Sequence, residues 1–416
     1  MVTNVINHAG NTNGLYSLKK YSEMKNECLW QPQHGIVGWG TNLRSGWSSC
    51  PVYDPNFEVS TSLDVTSSNP YNLIQPPVYQ SLATTQAILS YDSCRGNDAG
   101  SPFSMCVTGD GKLWAIGVAA TYQNALPPVS NPSYYTNWTQ VGTDTNWVRV
   151  RVSAGLGLGL KSDNTLWSWG SNANGKTGQN TTTGNTTTPT QIGTSTWKDF
   201  DAGYTFAMGI KTDGTLWTWG QNITGASGTG LTSGNNLVPL QVGTDTDWNK
   251  VLTAGNITNQ TTFLLKTDGR LYVVGSNQQY ITGLGTNTGN TLSITQIASG
   301  NTFTSIHANQ FAVVAMHSTG ALWTWGNGQY YKLGTGATTN KTTPSQSIAA
   351  NNWVKMNMNA TGLLLTNTSG ELYFVGTSCK YFTKPEEFGS TSLVKIGVFP
   401  TNTRIFSNTN YTVLYW

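Results

Sequence analysis

Few side chains in this sequence are of the types that do chemistry, and their spacing argues against a catalytic set. The four histidines are His8, His34, His307 and His317. None has a second ligand at the separation a tetrahedral metal centre uses, so no metal is expected. His317 occupies a slot taken elsewhere by Lys161, Lys211 and Lys266, which predicts a solvated side chain. Asp110, Asp163, Asp213 and Asp268 recur, each in a turn where a carboxylate can accept from the local backbone, and they read as structural acids. Glu386-Glu387 and Asp245/Asp247 are isolated pairs, and no glycine-rich phosphate loop opens a helix. No catalytic residue and no cofactor are expected, only a protein that works by contact.

The elements that carry these residues repeat. Lys211-Thr-Asp-Gly-Thr-Leu-Trp-Thr-Trp-Gly220 returns in six copies, whose closing glycines (Gly117, Gly170, Gly220, Gly275, Gly326 and Gly376) lie 53, 50, 55, 51 and 50 residues apart. A period of this size means one supersecondary unit stacked on itself. Within a unit, an apolar run such as Phe206-Ala-Met-Gly-Ile meets Asp213-Gly214 and then a second run, the pattern of a hairpin. Leu216 and Thr218 face one way and Trp217 and Trp219 the other, so both faces of the sheet should be covered. Trp147, Trp197, Trp248, Phe303 and Trp353 mark a further strand at a nearly fixed distance before each closing glycine. A sheet sandwiched between copies of itself is a propeller blade.

Charged residues are only 10% of the 416 and the net charge is +3, too small and scattered to call for nucleic acid. No run approaches the roughly 18 apolar residues that cross a bilayer. Met1–His8 has neither the basic segment nor the apolar core of a secretory leader, so none is expected. Cys28, Cys50, Cys94, Cys106 and Cys379 are odd in number and irregularly spaced; mostly reduced thiols are expected, a Cys50–Cys94 pair being the lesser alternative.

Gly35–Gly40 is the second half of a hairpin with no first half before it. The missing half stands at the other end of the chain, where Asn410–Trp416 resembles the first strand of a standard unit. The expected fold is therefore all-β, a seven-bladed β-propeller over 34–416 closed by pairing 410–416 with 35–40, with a polar arm at 1–33 and an insertion of roughly 25 residues within 41–100. The series Ala-Gly, apolar strand, Lys-x-Asp-Gly-x-Leu-Trp-x-Trp-Gly-x-Asn-x-x-Gly-x-x-Gly, then Thr-Pro-x-Gln-Ile/Val-Gly resembles the repeat of the regulator of chromosome condensation family, best at 154–193 and 202–243. The resemblance implies seven blades and closure by both termini. It also implies a range of roles, among them exchange factors for small GTPases, ubiquitin-ligase modules and a secreted β-lactamase inhibitor. The chain departs from the family in its first strand, where the usual His-Thr is Tyr204-Thr205 and Tyr411-Thr412.

Five residues after the closing glycine the repeat wants a second glycine, supplied by Gly175 and Gly225; the other copies carry Tyr122, Tyr280, Tyr331 and Tyr381. On the circle these form an arc at one rim, the candidate contact residues, since tyrosine joins apolar area to a polar tip. The alternative is that each ring packs over its own blade. Low charge, Asn/Thr/Gly-rich loops and the extra arm lead to the expectation of a virion structural protein, an exposed phage tail or capsid component. It would sit on the particle surface, docked to other virion proteins through the arm and binding a host glycan or protein, with homo-oligomers allowed. The alternatives are a small-GTPase regulator and a secreted bacterial adhesin or enzyme inhibitor.

Overall fold

The computed structural model describes residues 36–40, 88–93, 103–118, 122–127, 134–287, 289–377, 390–398, 404–407 and 411–415. Among these there are 26 strands and three single 3-10 turns, and no α-helix. The Cys50–Cys94 alternative, the arm at 1–33 and most of 41–100 lie outside the described residues. Cys106 is fully buried.

The strands are β1 (Ile36–Gly40), β2 (Ile88–Ser93), β3 (Phe103–Thr108), β4 (Leu113–Val118) and β5 (Tyr134–Gln140). Next come β6 (Trp147–Ser153), β7 (Leu156–Lys161), β8 (Thr165–Ser171), β9 (Asn185–Ala202), β10 (Phe206–Lys211), β11 (Leu216–Gln221) and β12 (Asn235–Val242). They continue as β13 (Trp248–Gly255), β14 (Gln260–Lys266), β15 (Leu271–Ser276), β16 (Asn290–Ile297), β17 (Phe303–Ala308), β18 (Ala312–His317), β19 (Leu322–Gly326) and β20 (Lys341–Ile348). The last are β21 (Trp353–Met358), β22 (Gly362–Asn367), β23 (Glu371–Gly376), β24 (Ser390–Val398), β25 (Arg404–Ser407) and β26 (Tyr411–Tyr415).

β2–β5, β13–β16, β17–β20 and β21–β24 are four-stranded sheets, and β6–β12 form one of seven strands. That larger sheet is two units sharing a strand. β9 pairs with β8 through Asn185–Thr196 and with β10 through Trp197–Ala202, so it leaves one unit as its outer strand and enters the next as its inner one. A three-stranded sheet holds β1, β26 and β25. Tyr411–Tyr415 lies antiparallel to Ile36–Gly40, Gly38 opposite Val413.

Local chemistry sets each hairpin. Phe206 pairs with Gly220 and Ile210 with Leu216 across Asp213-Gly214. Gly214 has φ +84°, and a Cβ there would sit 1.8 Å from the Thr246 carbonyl oxygen, so conformation and space both require glycine. Leu216, Thr218 and Trp219 are fully buried, which accounts for the double-sided bulk in the sequence. The inner-strand aromatics are buried beneath the hairpins, Trp147 and Trp197 meeting Trp169 and Trp219 edge-on at 6.0 and 5.6 Å. The second hairpin tryptophan is the wedge toward the preceding unit. Trp169 and Trp325 donate Nε1–H to the carbonyls of Gln123 and Ile281.

The inner strands follow one another in space as β2, β6, β9, β13, β17, β21 and β25, each in contact with the next. An inner strand is an edge whose outward N–H groups lack a ladder partner. Side chains from the preceding unit supply acceptors. Ser90 Oγ accepts from Val150 N–H (3.2 Å) and Asp92 Oδ2 from Val152 N–H (2.9 Å). Asp199 Oδ2 and Asp201 Oδ2 accept from Val251 N–H and Thr253 N–H, both at 2.7 Å, and His307 Nδ1 accepts from Met358 N–H at 3.1 Å. The two aspartates also face Arg149 at 2.6 Å and Arg151 at 3.5 Å.

Asp201 is 1% exposed. Asp201→Ala strands the Thr253 N–H and leaves Arg151 without its carboxylate, so unfolding in denaturant should show a loss of about 3 kcal/mol. An exposed turn acid, Asp163→Ala, should cost less than about 1 kcal/mol.

Candidate functional site

The antiparallel ladders give the molecule two rims. Hairpins and the connections into each inner strand lie at one. The loops leaving each inner strand and the turns after each closing glycine lie at the other.

The hairpin rim holds most residues of chemical type, and each is spoken for. Asp213 Oδ1 accepts from Thr215 O–H (2.6 Å) and N–H (3.0 Å), Asp163 does the same with Thr165, and these bonds hold both carboxyls below the usual range. They are structural acids, as expected from the turn. Lys211 Nζ lies 3.3 Å from the centre of the Trp217 ring and Lys161 Nζ 3.8 Å from that of Trp167. Lys161 also meets Asp144 at 2.7 Å, and Lys266 meets Asp245 and Asp247 at 2.7 and 2.8 Å. His317 is not simply solvated: it stacks on Trp323 at 5.3 Å and 12°. His8, His34 and Glu386-Glu387 lie outside the described residues. Among those described, no three His, Cys, Asp or Glu side chains are grouped to hold a metal ion.

The turn rim is built from amides and aromatics. Asn256, Asn309 and Asn359 open three successive inner loops, and each Oδ1 accepts from N–H groups two and three residues on. Neighbouring turns are tied through Asn174 Nδ2 to Gln221 Oε1 (3.0 Å) and Asn327 Nδ2 to Gln279 Oε1 (2.9 Å). Neighbouring inner loops are tied through Tyr204 and Thr205 N–H to Gln260 Oε1 and Asn309 Nδ2 to the Asn359 carbonyl.

Tyr122, Tyr280 and Tyr331 occupy equivalent turns on this rim, all half-buried; Tyr381 lies outside the described residues. Their φ values are +57°, +62° and +58°, against +76° and +79° for Gly175 and Gly225. A left-handed backbone costs a tyrosine about 1–2 kcal/mol, so something must offset it. The outer strand of the following unit indicates what. A Cβ on Gly175 or Gly225 would meet Leu237 or Leu292 at 2.6 Å. Register puts Leu237 and Leu292 one residue after the partners of Gly220 and Gly275. The equivalent positions facing Tyr122, Tyr280 and Tyr331 are Thr187, Thr342 and Thr391. Asn180 N–H to the Leu237 carbonyl and Gly285 N–H to the Thr342 carbonyl, the same bond in two units, confirm the equivalence. Glycine faces leucine and tyrosine faces threonine, so residue size on the two sides of the seam is complementary by register.

The family described as "Regulator of chromosome condensation (RCC1) repeat" matches residues 319–357. Yeast RCC1 (Prp20), solved bound to Kap60, superposes with a TM-score of 0.70 over 97% of this chain and 93% of its own, at 14% identity. The molecule is a β-propeller. Human WBSCR16 superposes with a TM-score of 0.68 over 92% of this chain and 98% of its own, at 16% identity. Prp20p from Saccharomyces cerevisiae, solved in work that also treats its binding to Gsp1p and histones, gives 0.62 over 77% and 83%, at 13%. No curated protein sequence matches the chain.

These propellers overturn the expectation of a virion component. Proteins of human and yeast cells share nearly the whole fold, and Kap60, Gsp1p and histones are what the yeast protein is described with. The virion partners, the arm as a particle anchor, the host-surface glycan or protein and the virion-surface location are withdrawn with it. The composition that suggested them has a local cause: asparagines cap the inner loops, and Asn/Thr-rich segments such as Asn185–Gln191 run along exposed outer strands.

Beneath the rim lies a feature that residue types did not announce. Lys332 is 4% exposed, with Nζ 2.9 Å from Asn327 Oδ1 and 3.5 Å from the Ala360 carbonyl of the next blade. Burial pushes its pKa down from 10.5 to about 8. Lys176 sits at the same repeat position and donates to the Ala154 carbonyl at 2.5 Å.

Two outcomes follow for the propeller. Tyr280→Gly and Thr342→Leu should each destabilise alone and recover together, because the pair then reproduces Gly225–Leu292; a double-mutant cycle should read a coupling of about 1 kcal/mol. For Lys332 the folded pKa lies below the unfolded one, so the penalty is fully present below pH 8 and is relieved as pH rises toward 10.5. Across that window the wild type should gain about 3 kcal/mol relative to Lys332→Met, measured by chemical denaturation at each pH.

Proposed function

We propose that this propeller is a non-enzymatic regulator of a small GTPase. The observation that carries the reading is the repeat match at 319–357 together with the superposition on yeast RCC1 (Prp20) over nearly the full length of both chains. The seven-bladed form of the fold belongs to the same proposal. Six units of four strands run from β2 to β24, counting β9 in both units it serves, and β21 reaches β25 of the β1–β26–β25 sheet. That sheet would be the seventh blade, holding the two ends of the chain together and leaving no raw edge between first and last blades.

The turn rim supplies the contact face, with Tyr122, Tyr280 and Tyr331 contributing area to it. A face tied from blade to blade by amide bonds is preformed, so little ordering entropy opposes binding. Exchange then needs no catalytic side chain. A propeller that binds the nucleotide-free GTPase more tightly than the nucleotide-bound form must, by linkage, weaken nucleotide binding by the same factor.

The test uses the full chain and a panel of small GTPases, Gsp1p among them, loaded with fluorescent GDP. Release from one of them should accelerate at least about tenfold, equivalent to about 1.4 kcal/mol of barrier. Unchanged release across the panel, with no complex on gel filtration, would overturn the reading.

A further inference from the structure

The hairpin rim builds one arrangement three times and completes it twice. Gly142, Gly193 and Gly243 each open a connection into an inner strand, and the side-chain amides of Gln140, Gln191 and Gln241 donate to their carbonyls at 3.0, 2.9 and 3.2 Å. Two residues on stand Asp144, Ser195 and Asp245. Asp144 reaches Lys161 and Asp245 reaches Lys266, both at 2.7 Å, and each lysine side chain is then only 8% exposed. In the unit between them the acid is a serine, and the connection to Trp197 is one residue shorter. Lys211 holds the same place there, opposite Trp197 as Lys161 is opposite Trp147 and Lys266 opposite Trp248. It stays half-buried, and among the described residues no carboxylate lies within ion-pair distance of it.

The aromatic faces do not substitute for that acid. Lys211 Nζ lies 3.3 Å from the centre of the Trp217 ring and 5.7 Å from that of Trp197. Lys161 lies over Trp167 and Trp147 at 3.8 and 4.8 Å and still takes Asp144, since an ammonium has three N–H donors to place. Burial pushes the Lys211 pKa below its ordinary value, with only the charge of Asp213 opposing. Burial acts on Lys266 in the same direction, but bonds to Asp245 and Asp247 outweigh it and leave that pKa raised. The surroundings share the sign of Lys211. Lys198, beside Trp197, and Lys250, on the next inner strand, are exposed, and neither has an ion-pair partner among the described residues. Lys198 Nζ reaches the Trp248 carbonyl at 3.3 Å, which sets it at the seam between the two strands. Asp213, in the turn of this hairpin, is already bonded to Thr215.

We infer that the slot formed by Lys211, Trp217 and Trp197 binds a carboxylate of another protein, an aspartate or glutamate on an acidic segment, in the place that Asp144 and Asp245 take in the neighbouring units. The fold itself shows what fits, because both equivalent ammonium groups are closed by a side-chain carboxylate at ion-pair distance. A carboxylate entering the slot gains a charge-assisted bond to a partly desolvated donor. Lys198 and Lys250 favour further acids along the same segment. The inference concerns the rim opposite the contact face above and does not depend on the regulator reading.

The test uses the full chain with 13C-labelled lysine and a dye-labelled peptide, Thr-Asp-Thr-Asp-Thr-Asp, with no GTPase present. Fluorescence anisotropy reads affinity, and the Lys211 Cε resonance, assigned by its loss in Lys211→Met, reads position. At 50 mM NaCl that resonance should shift saturably with the peptide, and the peptide with asparagine for each aspartate should bind at least about fivefold more weakly. Lys211→Met should lower the affinity by a similar factor, and 500 mM NaCl by at least about threefold. Replacing Gly193–Trp197 with the sequence of Gly142–Trp147 supplies the acid within the chain and should close the slot to the peptide. The two peptides are compared on the wild-type chain, so that arm needs no variant to fold. Equal response to both peptides, or binding undiminished by the graft, would overturn the inference and leave the nucleotide-release assay to decide the regulator reading by itself.

Discussion

The structure depends on how the open edge of each inner strand is satisfied. A four-stranded unit ends inward on N–H groups with no ladder partner, and a ring of such units is stable only if each neighbour supplies acceptors. Here side chains of the inner strand do so at three seams, from Ser90 and Asp92 in one unit, Asp199 and Asp201 in another and His307 in a third. At these three seams the spacing between neighbouring units cannot drift without breaking a bond to a buried strand.

Around that ring the units are closed by aromatic packing whose polarity is reversed from rim to rim. At the hairpins Lys161 and Lys266 lie over tryptophans and answer carboxylates from the connection into their own unit's inner strand, so charge is used and neutralised locally. At the turns the second tryptophan of the hairpin, Trp169 or Trp325, bonds the preceding blade, and asparagines take over the capping of loops. Among the described residues the hairpin rim is therefore charged and internally paired.

Much of this was legible in the residues. Each hairpin could be read from a few consecutive positions, since Asp-Gly or Asn between apolar runs specifies turn, twist and register together. The repeat length and the antiparallel partnership of 36–40 with 411–415 could be read as well, the first from periodicity and the second from an unmatched half-hairpin at each end. The tyrosines could be located but not understood. Their partners, Thr187, Thr342 and Thr391, lie on the next blade's outer strand, and only the register between distant segments shows that a large residue faces a small one. The inference drawn from composition failed, because a chain rich in asparagine and threonine reports how its loops are capped and says nothing of where it resides.

By itself the amino-acid sequence determined the repeating unit, its central hairpin and the role of acids such as Asp163 and Asp213 as turn formers, all set by interactions within about ten residues. The tertiary structure decided what crosses between units. It placed Asp201 on Thr253, Lys332 against Ala360 and Trp169 on Gln123. Those outcomes turn on which side chains meet across a seam, and adjacency of segments some fifty residues apart is a property of the folded ring, not of any stretch of chain.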